Sequence, residues 1–297
     1  YPESYQSWQI NPENITLKRP DGSSFNPIKE LTIQAQRFLN KLLTKHPTNK
    51  DYTILVVGHN AILRSLILEL IGNSGNGFRR LQLDNASVSI LNLKPSKSSD
   101  YNIQIECLNS ISHLTPSIPN RKKSARIMLV RHGETEWNRE GRFQGQIDIP
   151  LNNNGVAQAN AAGDFLKGFN IDKAFSSSLS RPKQTASEIL KYHPNIDLVL
   201  VDGLIEISHG EWEGKLELEI KEEWHDLLME WQKNPENVIM PKGESIIEVW
   251  QRSIKSWENI CSNLAPNETA IVVAHDAVNK TIICNLLGLK PKDIWKI

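Results

Sequence analysis

Apolar residues recur along the chain in two rhythms. Ile247, Trp250, Ile254, Trp257, Cys261 and Leu264 fall at the period of a helix that buries one face, and Ile28, Leu31, Ala35, Phe38 and Leu42 do the same much earlier. Short apolar, β-branched runs punctuate these stretches. Residues 127–130, 173–177, 197–201 and 270–274 read as strands, and residues 156–168, 180–192 and 216–231 as helices. Strand alternating with helix predicts an α/β fold, a three-layer sandwich in which helices cover both faces of a mostly parallel sheet.

The pattern also repeats. Trp8-Gln9 followed by Asn11-Pro12-Glu13-Asn14 returns as Trp231-Gln232 followed by Asn234-Pro235-Glu236-Asn237. Pro20-Asp21-Gly22-Ser23-Ser24 returns as Pro241-Lys242-Gly243-Glu244-Ser245, each leading into an amphipathic helix. A β-branched run then ends at a histidine in both places, Ile54-Leu55-Val56-Val57-Gly58-His59 and Ile271-Val272-Val273-Ala274-His275. After its histidine the first copy continues into an alternating strand, Ser87-Val88-Ser89-Ile90-Leu91-Asn92-Leu93, whereas the sequence stops at Ile297 before the second copy reaches its equivalent. The first residue is Tyr1, so the expectation is a window of a longer protein. Residues 1–113 would be the C-terminal half of a first domain, 114–124 a linker with two prolines and the solvated triplet Arg121-Lys122-Lys123, and 125–297 a second domain lacking its last strand.

Composition narrows the function. The length of 297 residues suits about two domains, and 34 basic against 34 acidic side chains argue against a nucleic-acid partner held by bulk charge. The longest apolar stretch, residues 61–71, is broken by Arg64, Ser65 and Glu69 and falls short of the ~20 residues of a membrane span. Cys107, Cys261 and Cys284 are widely spaced and form no CxxC pair, so neither a disulfide framework nor a zinc site is expected. With no secretory or transit pattern in the sequence, a cytoplasmic location is expected.

The chemistry gathers at strand ends. His132 follows one predicted strand in Arg131-His132-Gly133-Glu134-Thr135-Glu136-Trp137-Asn138, and His275 ends another, so both can face the crevice outside the carboxyl ends of a parallel sheet. Arg181, in Ser180-Arg181-Pro182, falls where a strand turns into a helix, with Pro182 suited to the first turn and Ser180 to the cap. Two arginines and two histidines describe a site for a compact dianion. A neutral His132, its tautomer fixed by a backbone carbonyl that Gly133 lets come close, can attack phosphorus, while a protonated His275 stabilises the charge that develops. A leaving alkoxide needs an acid, and Glu206, Glu211 and Glu213 all follow the strand near Val201. Spacing does not choose among them.

Arg131 to Asn138, the Phe143-Gln144-Gly145 turn, Asp148 with Pro150-Leu151, the Leu179-x-Arg181-x-x-Gln184-Thr185-Ala186 segment, Glu206 before Gly210-Glu211-Trp212-Glu213-Gly214, and the late His275 together resemble the histidine phosphatase superfamily, also called the phosphoglycerate-mutase-like family. The resemblance implies that fold over residues 126–297 and its back half over residues 1–93. It implies His132 as the phosphorylated nucleophile, Glu206 as the proton donor, and Arg131, Arg181 and His275 as the phosphate pocket, with Asn138, Gln144 and Gly145 lining it. No metal or cofactor is implied. The partner would be a small phosphorylated metabolite, with no nucleic acid and no membrane. Two departures stand out. Asp276 and Asn60 follow the paired histidines where the family commonly has glycine, and both read as helix N-caps. The first copy has no Arg-His-Gly segment, so it is assigned no activity and stands as a candidate regulatory module. Tandem copies are similar to a two-domain type of cyanobacteria and plant plastids, with a proposed 2-carboxyarabinitol 1-phosphate phosphatase role. Mutases of the family carry a longer insertion than the 37 positions between Glu206 and Gly243. Phosphomonoester hydrolysis is therefore the expected reaction, with phosphoglycerate mutase as the alternative. Trp212, Trp224 and Trp231 are candidates for a substrate-facing cap.

Overall fold

The computed structural model describes residues 2–46, 50–73, 77–95, 101–119 and 124–297. The basic triplet Arg121-Lys122-Lys123 lies outside the described residues. Two compact units divide the chain, Tyr1–Asn120 with Leu286–Ile297 and Arg121–Asn285.

The first unit holds α1 (Pro2–Ile10), the short pair β1 (Leu17–Lys18) and β2 (Ser24–Phe25), α2 (Pro27–Lys45), α3 (Asn60–Ile71) and an antiparallel ribbon of β3 (Val88–Pro95) and β4 (Tyr101–Ser110). Helix α2 starts where Asn26 accepts a hydrogen bond from the Lys29 amide at 2.8 Å, followed by Pro27 at the first helical position. It packs Ala35 and Leu39 against Leu66 of α3. Helix α3 ends at Gly72, whose positive φ of 80° lets its amide turn back onto the last carbonyls. The segment Leu286–Ile297 belongs to this unit too, with Lys296 Nζ donating to the Ile71 carbonyl at 2.8 Å.

Two elements differ from expectation here. Residues 54–57 carry a strand's composition but form no ladder, and Leu55 and Val57 are 87% and 85% exposed. A β-branched run becomes a strand only when neighbours satisfy its backbone, and none of the described residues does so. Conversely, β4 is a strand the hydrophobic pattern did not announce. Its Asn102, Gln104 and Glu106 alternate with Tyr101, Ile103 and Ile105, and pairing with β3 in the register Leu93↔Ile103 holds it.

The second unit is built on four parallel strands, β5 (Arg126–Arg131), β6 (Lys173–Ser176), β7 (Leu198–Leu200) and β8 (Thr269–Ala274), in the order β5-β8-β6-β7. Its helices are α4 (Glu136–Glu140), α5 (Asn153–Leu166), α6 (Ser180–Leu190), α7 (Glu217–Lys233), α8 (Ile246–Ser262) and α9 (Asp276–Leu286). This is the predicted α/β fold with a parallel sheet, and the strands and helices read from periodicity recur with ends moved by a few residues. Every residue of β8 is buried, since β5 and β6 pair on its two sides. Helix α8 begins with a capping box, the Ser245 hydroxyl accepting from the Glu248 amide and the Glu248 carboxylate from the Ser245 amide at 2.7 Å, and buries Ile246, Val249, Trp257 and Ile260. Among the described residues no helix is long and apolar enough to cross a membrane.

The repeat is visible in local geometry. Pro12–Asn14 and Pro235–Asn237 are both single 3-10 turns, each entered through an asparagine, Asn11 at φ −147°, ψ 72° and Asn234 at φ −135°, ψ 68°.

Candidate active site

The ladder that orders the sheet also delivers the site. Just past the strands, the His132 amide donates to Ala274 O and the Ser177 amide to Val273 O, both at 3.1 Å. The carboxyl ends of β5, β8 and β6 therefore bring His132, His275 and Ser177 side by side, with the two imidazole centroids 5.1 Å apart.

His132 is buried, and its Nδ1–H donates to the Gly133 carbonyl at 2.7 Å. That bond fixes the tautomer and leaves Nε2 with its lone pair, which accepts a long 3.4 Å contact from Arg181 Nε. Burial, with help from Arg181 and Arg131, pushes the His132 imidazole down to about 3 against the opposing pull of the Gly133 bond, so it is neutral near pH 7. Gly133 has to be glycine for a steric reason, since a Cβ there would sit 2.4 Å from the Gly155 carbonyl oxygen. The Gly133 amide is held by the Thr185 hydroxyl at 3.1 Å.

Arg181 is fully buried on α6, and it reaches back past His132 to donate from Nη2 to Gly145 O at 2.7 Å and from Nη1 to Ile147 O at 3.3 Å. Ser180 is the first helical residue, not the cap. The capping position is Leu179, and the Ser180 amide and hydroxyl both donate to Asp148 Oδ1 at 2.8 Å, which ties the start of α6 to the loop after the Gln144-Gly145 turn. Gln144 accepts from the Thr135 hydroxyl at 2.8 Å, and its buried Nε2 has no hydrogen-bond partner among the described residues. Asn138 turns its carbonyl oxygen onto the Thr135 amide at 3.1 Å, closing the capping box of α4.

His275 is fully buried. Its Nε2 meets the Ser177 hydroxyl at 2.8 Å, and its Nδ1 has no partner among the described residues. Burial first, then Arg181 and His132, hold it well below the ordinary imidazole range. Its protonation therefore needs a compensating anion. Arg131 is more exposed and pairs through Nη1 with Asp276 Oδ1 at 3.1 Å, while Lys280 takes Oδ2 at 3.0 Å. Asp276 is thus an ion-pair partner at the first position of α9, not an N-cap. Asn60 likewise opens α3 and donates to the Leu83 carbonyl at 2.6 Å.

The three glutamates separate cleanly. Glu206 is buried, accepts from the Ile207 amide at 3.0 Å and the Ala277 amide at 3.4 Å, and burial, aided by the Asp276 charge, pushes its carboxyl up. Glu211 pairs at the surface with Lys242. Glu213 accepts from the Gln146 and Ile147 amides, just after the Gln144-Gly145 turn, and from the His209 amide. Sequence reasoning missed Ser177, one of three consecutive serines, and Arg252, which donates to the carbonyls of Gly203, Ile205 and Glu206 and to both oxygens of Glu244. Trp212 and Trp231 are core residues, Trp212 edge-on to Phe143 and Trp231 to His209, so they line no cap. Trp224 is partly exposed at a kink in α7, beneath Lys215.

A family model described as the histidine phosphatase superfamily (branch 1) matches residues 1–102 and 127–297. The chain belongs to that superfamily. This histidine phosphatase is 34% identical over 170 residues to "Phosphoserine phosphatase 1" of Hydrogenobacter thermophilus, a match covering 57% of this chain and 80% of the relative. It is 35% identical over 175 residues to "2-carboxy-D-arabinitol-1-phosphatase" of Triticum aestivum, which covers 59% of this chain and only 35% of that one. Among solved structures, Bacillus stearothermophilus YhfR matches with a TM-score of 0.56 and 28% identity, covering 59% of this chain and 85% of YhfR. Relatives named phosphoglycerate mutase also match, one from Gloeobacter violaceus at 30% identity over 58% of this chain and 80% of its own.

Proposed function

We propose that this histidine phosphatase hydrolyses a small phosphorylated metabolite through a phosphohistidine formed at Nε2 of His132. The observation that carries the reading is the His132 ring itself, with Nδ1–H spent on Gly133 O and a neutral Nε2 facing the buried Arg181 guanidinium. Arg181 and Arg131 supply the cationic grip, and the unpartnered Gln144 Nε2 adds a donor. The dianion brings the charge that lets His275 take up a proton at Nδ1, the nitrogen that Ser177 leaves open, and a preorganised donor of this kind contributes about 3 kcal/mol to the transition state.

In the first step the Nε2 lone pair forms a bond to phosphorus, the ester P–O bond breaks, and the departing alkoxide takes the proton of Glu206. The raised carboxyl keeps that proton available closer to neutrality than an ordinary glutamate does. In the second step water gives a proton to the Glu206 carboxylate and attacks phosphorus, the P–N bond breaks, and inorganic phosphate leaves with the histidine neutral again. The names of the bacterial and wheat relatives, both phosphatases of small phosphate esters, support hydrolysis. The tandem arrangement of a partial and a nearly complete copy, and a cytoplasmic location, belong to the same reading.

His132→Ala should lower turnover of an aryl phosphate by about 10⁴-fold or more, and the wild type, rapidly quenched, should carry a phosphoryl label that survives alkali and is lost in acid. Retained turnover with no label would overturn the nucleophile assignment. Phosphoryl transfer to 3-phosphoglycerate faster than hydrolysis would turn the reading to mutase chemistry.

A further inference from the structure

Glu213 has no place in the reaction above, yet its carboxylate is among the most heavily bonded groups of the unit. Oε1 accepts from the Gln146 amide at 2.9 Å and from the His209 amide at 3.0 Å, and Oε2 accepts from the Ile147 amide at 2.9 Å. The Ser208 hydroxyl lies 3.5 Å from Oε1. The Gln146 amide belongs to the same peptide plane as the Gly145 carbonyl, which accepts Arg181 Nη2 at 2.7 Å. One peptide unit therefore joins an anion to a cation, carboxylate on its N–H and guanidinium on its C=O, and each hydrogen bond polarises the peptide in the sense that strengthens the other. Ile147 adds a second tie through two successive peptide units, its N–H on Glu213 and its own carbonyl 3.3 Å from Arg181 Nη1. The packing leaves no slack, since a Cβ at Gly145 would lie 2.1 Å from Glu213 Oε1.

We propose that Glu213 is a positioning residue for phosphate binding: through the Gly145–Gln146 peptide it aims and electrostatically balances the buried Arg181 that grips the phosphoryl group. The inference rests on the dianion site proposed above. It assigns separate work to glutamates of one short loop, Glu206 moving protons and Glu213 holding the turn that orients the arginine. Glu213→Gln keeps the shape but loses the charge and sets an NH2 against one of the three amides it now accepts from. Arg181 then loses its balanced partner while His132, Glu206 and their bonds stay in place.

The expected result is a split. In Glu213→Gln the KM for an aryl phosphate and the inhibition constant of inorganic phosphate both rise about tenfold, while kcat per labelled active site changes less than about threefold. Gly145→Ala, which drives the carboxylate off the turn, gives the same split and serves if Glu213→Gln folds poorly. Glu211→Gln, altering only the surface pair with Lys242, changes neither constant. Calorimetric binding of inorganic phosphate to His132→Ala, with and without Glu213→Gln, reads the effect without turnover, so it stands apart from the fate of the phosphohistidine assignment. Unchanged phosphate affinity in both Glu213→Gln and Gly145→Ala, or a fall in kcat at constant KM, overturns the proposal.

Discussion

Two stretches of this chain carry nearly the same sequence and live in opposite surroundings. Residues 54–59 and 270–275 each run apolar into a histidine that precedes a helix. Val273 is completely buried between Val130 of β5 and Ser176 of β6, while Val57, its counterpart in the repeat, is 85% exposed. His275 is buried against Ser177 beside His132, and His59 is exposed at the start of α3. Both helices begin at the residue after the histidine, Asn60 and Asp276, so the local sequence carries the helix start. What it does not fix is the strand or the chemistry. Both depend on what lies alongside, parallel neighbours for the ladder and Arg131, Arg181 and Glu206 for the imidazole.

The sharpest way to break the contrast is a charge. Val273→Lys places an ammonium between two strands with no partner, and the second unit should lose about 4 kcal/mol or more, enough to unfold it. Val57→Lys, at the matching position, should shift stability by no more than about 0.5 kcal/mol. Thermal melts of the two variants test this, and equal losses would show that residues 54–57 are packed as β8 is. Next in size come the histidines. His275→Ala removes a buried donor and should slow aryl phosphate turnover by about 10²-fold or more, whereas His59→Ala should leave steady-state rates unchanged. A comparable loss in His59→Ala would mean that the first copy takes part in the reaction.

Much of the second unit was legible because its signals are local. The alternation of residues 127–130, 156–168, 173–177 and 180–192 places β5, α5, β6 and α6, and histidines at two strand ends converge wherever those strands are parallel neighbours. Arg181 was legible for the same reason. Glu206, Glu211 and Glu213 could not be ranked by spacing, because burial against the α9 amide, a surface lysine and two turn amides are facts of tertiary structure. Ser177 hid among three serines, and only the register of β6 on β8 picks it out. Asp276 showed itself in the sequence as an anomaly, but its part as partner of Arg131 and Lys280 appears only when the strand end and the helix face each other.

The same burial that sets His275 apart from His59 makes the second unit sensitive to acid. His132 is pushed down to about 3 and His209 to about 4, both mainly by burial, and His275 lies well below the ordinary value of 6.5. Below that ordinary value the unfolded chain takes up protons that these folded imidazoles refuse, so stability falls as pH is lowered through 6.5 and continues to fall until the folded groups titrate. Each contributes about 1.4 kcal/mol per pH unit at full slope. Glu206 works the other way. Its raised carboxyl holds a proton in the folded state, so the stability it contributes is fully present at low pH and is lost as pH rises through its folded pKa, offsetting at most about one of the three histidines. The thermal midpoint of the second unit should therefore drop between pH 7 and pH 5. In His275→Asn, which fills the site without a titrating ring, the drop should be about one-third to one-half shallower, according to how far Glu206 offsets the other histidines. A midpoint that is flat over that window, or a slope untouched by removing His275, would mean that this imidazole is not held neutral by its surroundings, and the environmental contrast with His59 would lose its electrostatic half.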